Sequence, residues 1–147
     1  PLTKKRCLTE SNEIGYNAIS TFTPKISALK MDNYLDENQL LVSRGPEFDL
    51  LDDVQLDQLF SKAFTIAKEN NRMAYQLVEY LNAHTVSMLT SATLPGTVQL
   101  TPAGKLLILM KDGLTSGGYP RIVQLSEDAI TILAQKRAGD SIRFKLV

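Results

Sequence analysis

Lys105-Leu106-Leu107-Ile108-Leu109-Met110 runs into Asp112-Gly113 and then into Thr115-Ser116-Gly117-Gly118-Tyr119-Pro120-Arg121-Ile122-Val123-Gln124-Leu125. A short apolar run closed by an Asp-Gly turn dipeptide predicts a buried strand. The β-branched run at residues 122–125 predicts a second one. Between them, two glycines permit positive φ or close backbone approach, and proline fixes φ and removes a donor. Tyr119 and Arg121 set a phenol and a guanidinium beside that constrained backbone, as at a demanding turn or the lip of a site.

The same pattern extends in both directions. Upstream, Pro102-Ala103-Gly104 and Pro95-Gly96 mark turns on either side of a strand at residues 97–100. Strand character recurs at residues 39–44, stopped by Gly45-Pro46, and at 64–67, 73–78 and 85–93. Further strand candidates fall at 16–22 and 26–29. Residues 51–60 read as a helix with Asp52 as N-cap, Gln55 three positions on, and Val54, Leu59 and Phe60 on one face. Ser126 caps a second helix whose first turn carries Glu127 and Asp128 and whose stripe is Ile130, Leu133 and Ala134. Ala138-Gly139-Asp140 then turns the chain into an alternating strand at 141–146. Many short strands with tight turns and two short helices predict a mainly β fold, a β-barrel with two short peripheral helices. One domain is expected to span residues 1–147.

Composition narrows the function. Sixteen basic and sixteen acidic residues cancel, so no nucleic acid or anionic membrane is expected as a partner. The cluster Lys4-Lys5-Arg6 is too short to change that. Cys7 is the one cysteine, which excludes an internal disulfide and suits a reducing, cytoplasmic setting. No metal site is expected, because His84 is the one histidine. The longest apolar run, residues 106–110, is too short to span a bilayer.

Several catalytic patterns fail. Gly104-Lys105 leads into a strand rather than the Ser/Thr of a phosphate loop, and no Gly-x-Gly-x-x-Gly or Gly-x-Ser-x-Gly segment occurs. Met110-Lys111 lacks the second methionine of a biotin-attachment site. The acidic residues from Glu47 to Asp57 read as a helix start and its solvated face. No general base is identifiable.

Three polar constellations remain: Arg72-Met73-Ala74-Tyr75, Pro95-Gly96-Thr97-Val98-Gln99, and Thr115 to Arg121 with its glycine pair. Guanidinium forks match planar carboxylate, carbamate or phosphate groups, and glycine N–H groups form anion nests. The expected ligand site comprises Arg72, Tyr75, Gln99, Thr115, Gly117, Gly118, Tyr119 and Arg121. It would take a small carboxylate- or amide-bearing ligand, with Arg72 or Arg121 on the carboxylate.

In order, these segments resemble the second half of the family variously called the C subunit of 5-oxoprolinase, allophanate hydrolase subunit 2 or biotin-dependent carboxyltransferase. Arg72-Met73-Ala74-Tyr75-Gln76-Leu77 is similar to its Arg-Met-Gly-Tyr-Arg-Leu segment. Pro95-Gly96-Thr97-Val98-Gln99 resembles its Pro-Gly-Ala-Ile-Gln turn, and Thr115 to Pro120 its Thr-Thr-Gly-Gly-Tyr-Pro segment. Leu133-Ala134-Gln135 and Gly139-Asp140-Ser141-Ile142-Arg143-Phe144 resemble its ending. Ala74, Gln76 and Leu114 depart from the common glycine, arginine and glutamine. The chain begins Pro1-Leu2-Thr3 without methionine, and the first half of the family pattern is not found in it. It is therefore expected to be a C-terminal half, truncated, processed or encoded alone.

The resemblance implies a cyclophilin-like barrel and a part in an ATP-dependent amide or lactam hydrolase complex. That complex would open 5-oxoproline to glutamate or act as an allophanate- or urea-type carboxyltransferase module. It further implies a sister subunit of the B type as partner and a missing N-terminal half, with ATP used by the complex and no cofactor on this chain. The alternative is a regulatory module that binds a sister subunit and antagonises an inhibitor of a sporulation kinase. A cyclophilin-type peptide isomerase would rest on fold alone, which does not confer function.

Overall fold

The computed structural model describes residues 37–147. The strand candidates at 16–22 and 26–29, Cys7 and the Lys4-Lys5-Arg6 cluster lie outside them. The strands are β1 (Gln39–Arg44), β2 (Phe64–Thr65), β3 (Ala74–Tyr80), β4 (Ser91–Ala92), β5 (Thr97–Leu100), β6 (Lys105–Leu109), β7 (Ser116–Gly117), β8 (Arg121–Leu125) and β9 (Ser141–Leu146). Two helices, α1 (Asp53–Ser61) and α2 (Glu127–Ala134), and a 3-10 turn at Phe48–Leu50 complete the described elements.

Seven strands form one sheet in the order β2-β9-β1-β8-β5-β6-β3, and β4 pairs with β7 in a separate ribbon. The β1–β9 pair is parallel, with Leu40 opposite Phe144. The other pairings in the sheet are antiparallel. An Ile66–Leu77 bridge and an Ala67 N–H bond to the Gln76 carbonyl (2.9 Å) join the end of β2 back to β3. The sheet thus nearly closes into the expected barrel.

A carboxylate braces this seam. The Thr65 N–H and hydroxyl both donate to Glu79, at 2.5 and 2.8 Å. Glu79→Ala strands both donors where water only partly reaches, so it is expected to lower stability by about 2 kcal/mol. A urea midpoint unchanged from wild type would remove the seam role.

Strand alternation separates two faces of the wall formed by β5, β6 and β3. Leu77, Val98, Leu100, Leu106 and Ile108 are buried in the core. Gln99 and Leu107, directly opposite each other, point to the other side, as does Gln76 across from Leu107. Phe64 and Phe144 stack at 5.5 Å within the core.

Both helix starts follow the sequence reading. Asp52 Oδ1 accepts from the Gln55 N–H at 2.6 Å, and Gln55 Oε1 accepts from the Asp52 N–H at 3.1 Å. Gln55 Nε2 also donates to the Asn82 carbonyl (2.8 Å), tying the helix to the chain that leaves β3. The buried positions of α1 are Gln55 and Leu59, one turn apart, whereas Val54 is exposed. Ser126 Oγ accepts from the Ala129 N–H. The buried side of α2 is Ala129, Ile130, Ile132 and Leu133, with Ala134 turned outward.

Of residues 85–93, expected as strand, only Ser91 and Ala92 form one. The preceding loop is anchored by His84, whose Nδ1 accepts from the Val86 N–H and whose Nε2 lies 3.2 Å from the Leu100 carbonyl oxygen.

Candidate functional site

The eight expected site residues fall into separate places. Gln99, Gly117, Gly118 and Tyr119 line one cavity of about 480 Å³, together with Met73, Ala74, Leu107, Leu109, Leu114 and Ser116. Its wall is the outer face of β3, β5 and β6. Ser116 and Gly117 of β7 and the chain on to Tyr119 line its outer side.

Arg72 and Tyr75 lie elsewhere. Alternation along β3 sends Ala74 into the cavity and Tyr75 to the opposite side, where it lines a cleft with Arg72, Met110 and Lys111. Arg72 is largely exposed and pairs with Asp112, Nε to Oδ2 at 2.8 Å. Thr115 is exposed, and its carbonyl accepts from the Thr93 N–H at 2.9 Å.

Arg121 is committed to a partner 74 positions away. Its Nε and Nη2 bond Glu47 Oε2 and Oε1 at 2.9 and 2.7 Å, and its backbone N–H bonds Oε2 at 2.9 Å. Both side chains are under a fifth exposed. Hydrogen bonding from Arg121 holds the Glu47 carboxyl below its usual range, against the opposing effect of burial. The Glu47 bond likewise holds the guanidinium above its usual value. The remaining fork, Nη1, donates to the Ala92 carbonyl at 2.6 Å. Arg121 therefore clamps β4, and with it the ribbon, to the barrel.

Glu47 is not among the residues expected from sequence. Its neighbourhood reads as a solvated acidic stretch, and nothing local signals a partner so distant along the chain. The Gly45–Pro46 turn carries it into place, with the Gly45 N–H bonded to the Ile122 carbonyl at 2.9 Å.

Gln99 is the polar centre of the cavity. It is 5% exposed, and its Nε2 is a buried donor without a hydrogen-bond partner among the described residues. Such a group costs about 1–3 kcal/mol of desolvation. The ribbon lies directly against it: a β carbon built at Gly117 would stand 2.5 Å from Gln99 Nε2. This explains the first glycine of the pair as a requirement of close approach. At the other end of β5, Gly96 takes φ +85°, and its N–H bonds the Leu109 carbonyl, fixing the turn from which Gln99 is projected.

A neighbouring amide shows how a satisfied one looks in this barrel. Gln124 Oε1 accepts from the Thr97 hydroxyl, and its Nε2 donates to the Pro95 carbonyl at 2.7 Å. The contrast singles out Gln99, among the described residues, as a buried side chain with an unused donor at a cavity wall.

Comparison with known proteins agrees with this architecture. A family model described as carboxyltransferase domain, subdomain A and B, matches residues 2–146. The chain is 33% identical over 109 residues to the C subunit of 5-oxoprolinase from Escherichia coli (strain K12), covering 73% of this chain and 35% of that protein. It is similar in fold to the crystal structure of TTHA0988, with a TM-score of 0.66, 24% identity, and coverage of 84% of this chain and 23% of that one. The Kluyveromyces lactis urea carboxylase gives a TM-score of 0.64 at 21% identity, covering 74% of this chain and 11% of that one. The chain spans about a third of the length of the curated relatives it matches. Among the described residues, no helix is long and apolar enough to cross a membrane.

Proposed function

Because this chain belongs to the carboxyltransferase domain, subdomain A and B, family, we propose that it contributes a small-ligand cavity to an ATP-dependent amide or lactam hydrolase or carboxyltransferase complex. The ligand is a small molecule bearing an amide-like carbonyl. The observation that carries the reading is the buried Gln99 Nε2, without a partner among the described residues, in the wall of a cavity that the glycine pair also lines.

An amide both donates and accepts, so it pairs reciprocally with another amide, lactam or urea-type group. Ser116 and the Tyr119 hydroxyl supply further polar contacts at the cavity, and Leu107, Leu109 and Met73 give it apolar walls. Within this division of labour Arg121 is a positioning residue that holds the ribbon over Gln99. ATP and the bond-breaking chemistry belong to other parts of the complex, a sister subunit among them. The similarity to a protein named as the C subunit of 5-oxoprolinase supports 5-oxoproline as the first substrate to test. The fold shared with a urea carboxylase keeps a urea-type amide as the second.

The test is binding of 5-oxoproline and of its carboxamide to the 147-residue chain, followed by calorimetry or NMR titration. Gln99→Leu is expected to weaken the better ligand at least tenfold, and Arg72→Ala to leave it unchanged. Binding that survives Gln99→Leu but is lost in Arg72→Ala would move the site to the cleft of Arg72 and Tyr75.

A further inference from the structure

We infer that the cavity holds two subsites: an end at Gln99 that takes the lactam or carboxylate of a ligand such as 5-oxoproline, and an apolar end for a hydrocarbon group attached to it. Met73, Ala74, Leu109 and Leu114 form the apolar end. The ligand class is a 5-oxoproline-like head bearing an aliphatic substituent. The inference rests on the proposed ligand cavity and adds the second half of what fills it.

The polar groups of the lining gather at one end. Gln99 Nε2 is a buried donor without a partner among the described residues, and Gly117 lies close against it. Ser116 and Tyr119, on the same segment as Gly117, bring two hydroxyls. These groups donate, and they match an acceptor oxygen of either a lactam carbonyl or a carboxylate.

Strand register carries the wall away from that end as hydrocarbon. Leu107 lies directly opposite Gln99, and two residues along β6 Leu109 lies opposite Ala74 of β3. Two strand spacings and two residues of rise place Ala74 roughly 10 Å from Gln99, and a single five-membered ring does not fill that length. The cavity volume of about 480 Å³ likewise suits a larger ligand.

The Asp112–Gly113 turn fixes the apolar end. The Gly113 N–H bonds the Met110 carbonyl and the Met110 N–H bonds the Met73 carbonyl, both at 2.9 Å. A β carbon at Gly113 would stand 2.8 Å from the Met73 carbonyl oxygen, so the turn packs directly on the backbone of Met73. It thereby delivers Leu114 to the same cavity that Met73 lines. Met73 and Leu114 are 46% and 65% exposed. Apolar side chains exposed singly are ordinary, but two that line one cavity with Ala74 and Leu109 mark a surface for a ligand to cover.

The probes are 5-oxoproline, 5-oxoprolyl-glycine and 5-oxoprolyl-leucine. The two dipeptides share a head and a carboxylate and differ by one isobutyl group. Titrated into the full chain, the leucine dipeptide is expected to bind at least tenfold more tightly than the glycine one, the gain from burying an aliphatic side chain. Leu114→Ser and, separately, Ala74→Leu, which fills the apolar end, are each expected to narrow that ratio below threefold. Leu94→Ser, at a similarly exposed leucine that does not line the cavity, is expected to keep it. Equal binding of the two dipeptides, or exclusion of both, by a chain that binds 5-oxoproline through Gln99 would overturn the apolar subsite and leave the cavity as the ligand site. A ratio unmoved by Leu114→Ser and by Ala74→Leu would overturn it too, since the side group would then lie elsewhere. Binding of none of the three probes would count against both the subsite and the site.

Discussion

Glu47→Ala is expected to lower the stability of the barrel by about 2 kcal/mol, between the cost of breaking an exposed ion pair and that of breaking a buried one, because this pair is half-buried. The Arg121 guanidinium would keep its Ala92 contact but lose two side-chain bonds and the carboxylate beside its own backbone N–H. The loss comes from an uncompensated cation in a site that is under a fifth exposed. Replacing both partners with apolar groups, as in Glu47→Leu with Arg121→Met, is expected to recover much of it. The double variant still lacks the bond to Ala92, so exchange of the Thr93 N–H, which joins the ribbon to Thr115, is expected to stay accelerated. Urea denaturation of the single and double variants gives the energies, and hydrogen exchange reads the ribbon. A stability change below about 0.5 kcal/mol would mean that the pair contributes little, as exposed pairs do.

The same pair sets a pH dependence. The Glu47 carboxyl is held low in the folded protein, chiefly by its hydrogen bond from Arg121. Its contribution is therefore complete above the ordinary carboxylate range and is lost as pH falls through the lowered value. Wild-type stability should fall with acid over that window, and Glu47→Gln should show a flatter profile there. Equal slopes would mean that other carboxylates carry the acid sensitivity.

Gly117→Val is expected to reduce ligand affinity at least thirtyfold while lowering stability by about 1–2 kcal/mol. A β carbon at 117 would sit 2.5 Å from Gln99 Nε2, closer than both can hold, and the space open to the displaced amide is the cavity itself. Either the amide is driven from its position or the ribbon lifts, and each outcome removes the surface the ligand needs. The neighbouring glycine provides the control. At Gly118 the nearest atom to an added β carbon is the Met88 carbonyl oxygen at 3.9 Å, an ordinary contact. Gly118→Ala should leave affinity within threefold of wild type. Equal losses at both positions would mean that backbone flexibility, rather than the approach to Gln99, is what the glycine pair supplies.

What is legible in the sequence is local. The reciprocal bonds of Asp52 and Gln55 span three residues, and the Ser126 cap does the same, so spacing alone reveals both. The strands at 97–100 and 105–109 announce themselves by apolar character between glycine and proline turns. The barrel's closure is not readable residue by residue, because it depends on Ile66 meeting Leu77 and on Thr65 meeting Glu79. The lining of the cavity is partly readable. Gln99 and the glycine pair stand out as polar features of separate segments, and strand register brings them together. Arg72 and Tyr75 share a segment that follows a turn and resembles a family motif, which groups them with the others in sequence. Alternation along β3 sends Tyr75 to the other side, and Arg72 meets Asp112 there. Glu47 reads as part of a solvated stretch because its partner, Arg121, lies far along the chain and nothing near it in sequence reports the pairing.

The central claim is that ligand binds on the outer face of the barrel, in the cavity lined by Gln99 and the glycine pair. NMR titration of the isotope-labelled 147-residue chain with 5-oxoprolinamide tests it most directly. The expected result is a saturable set of shifts confined to the Gln99 side-chain amide, the Gly117 and Gly118 N–H groups and the methyls of Leu107 and Leu114. Shifts centred instead on Arg72, Tyr75 and Lys111, with the Gln99 amide unmoved, would contradict it.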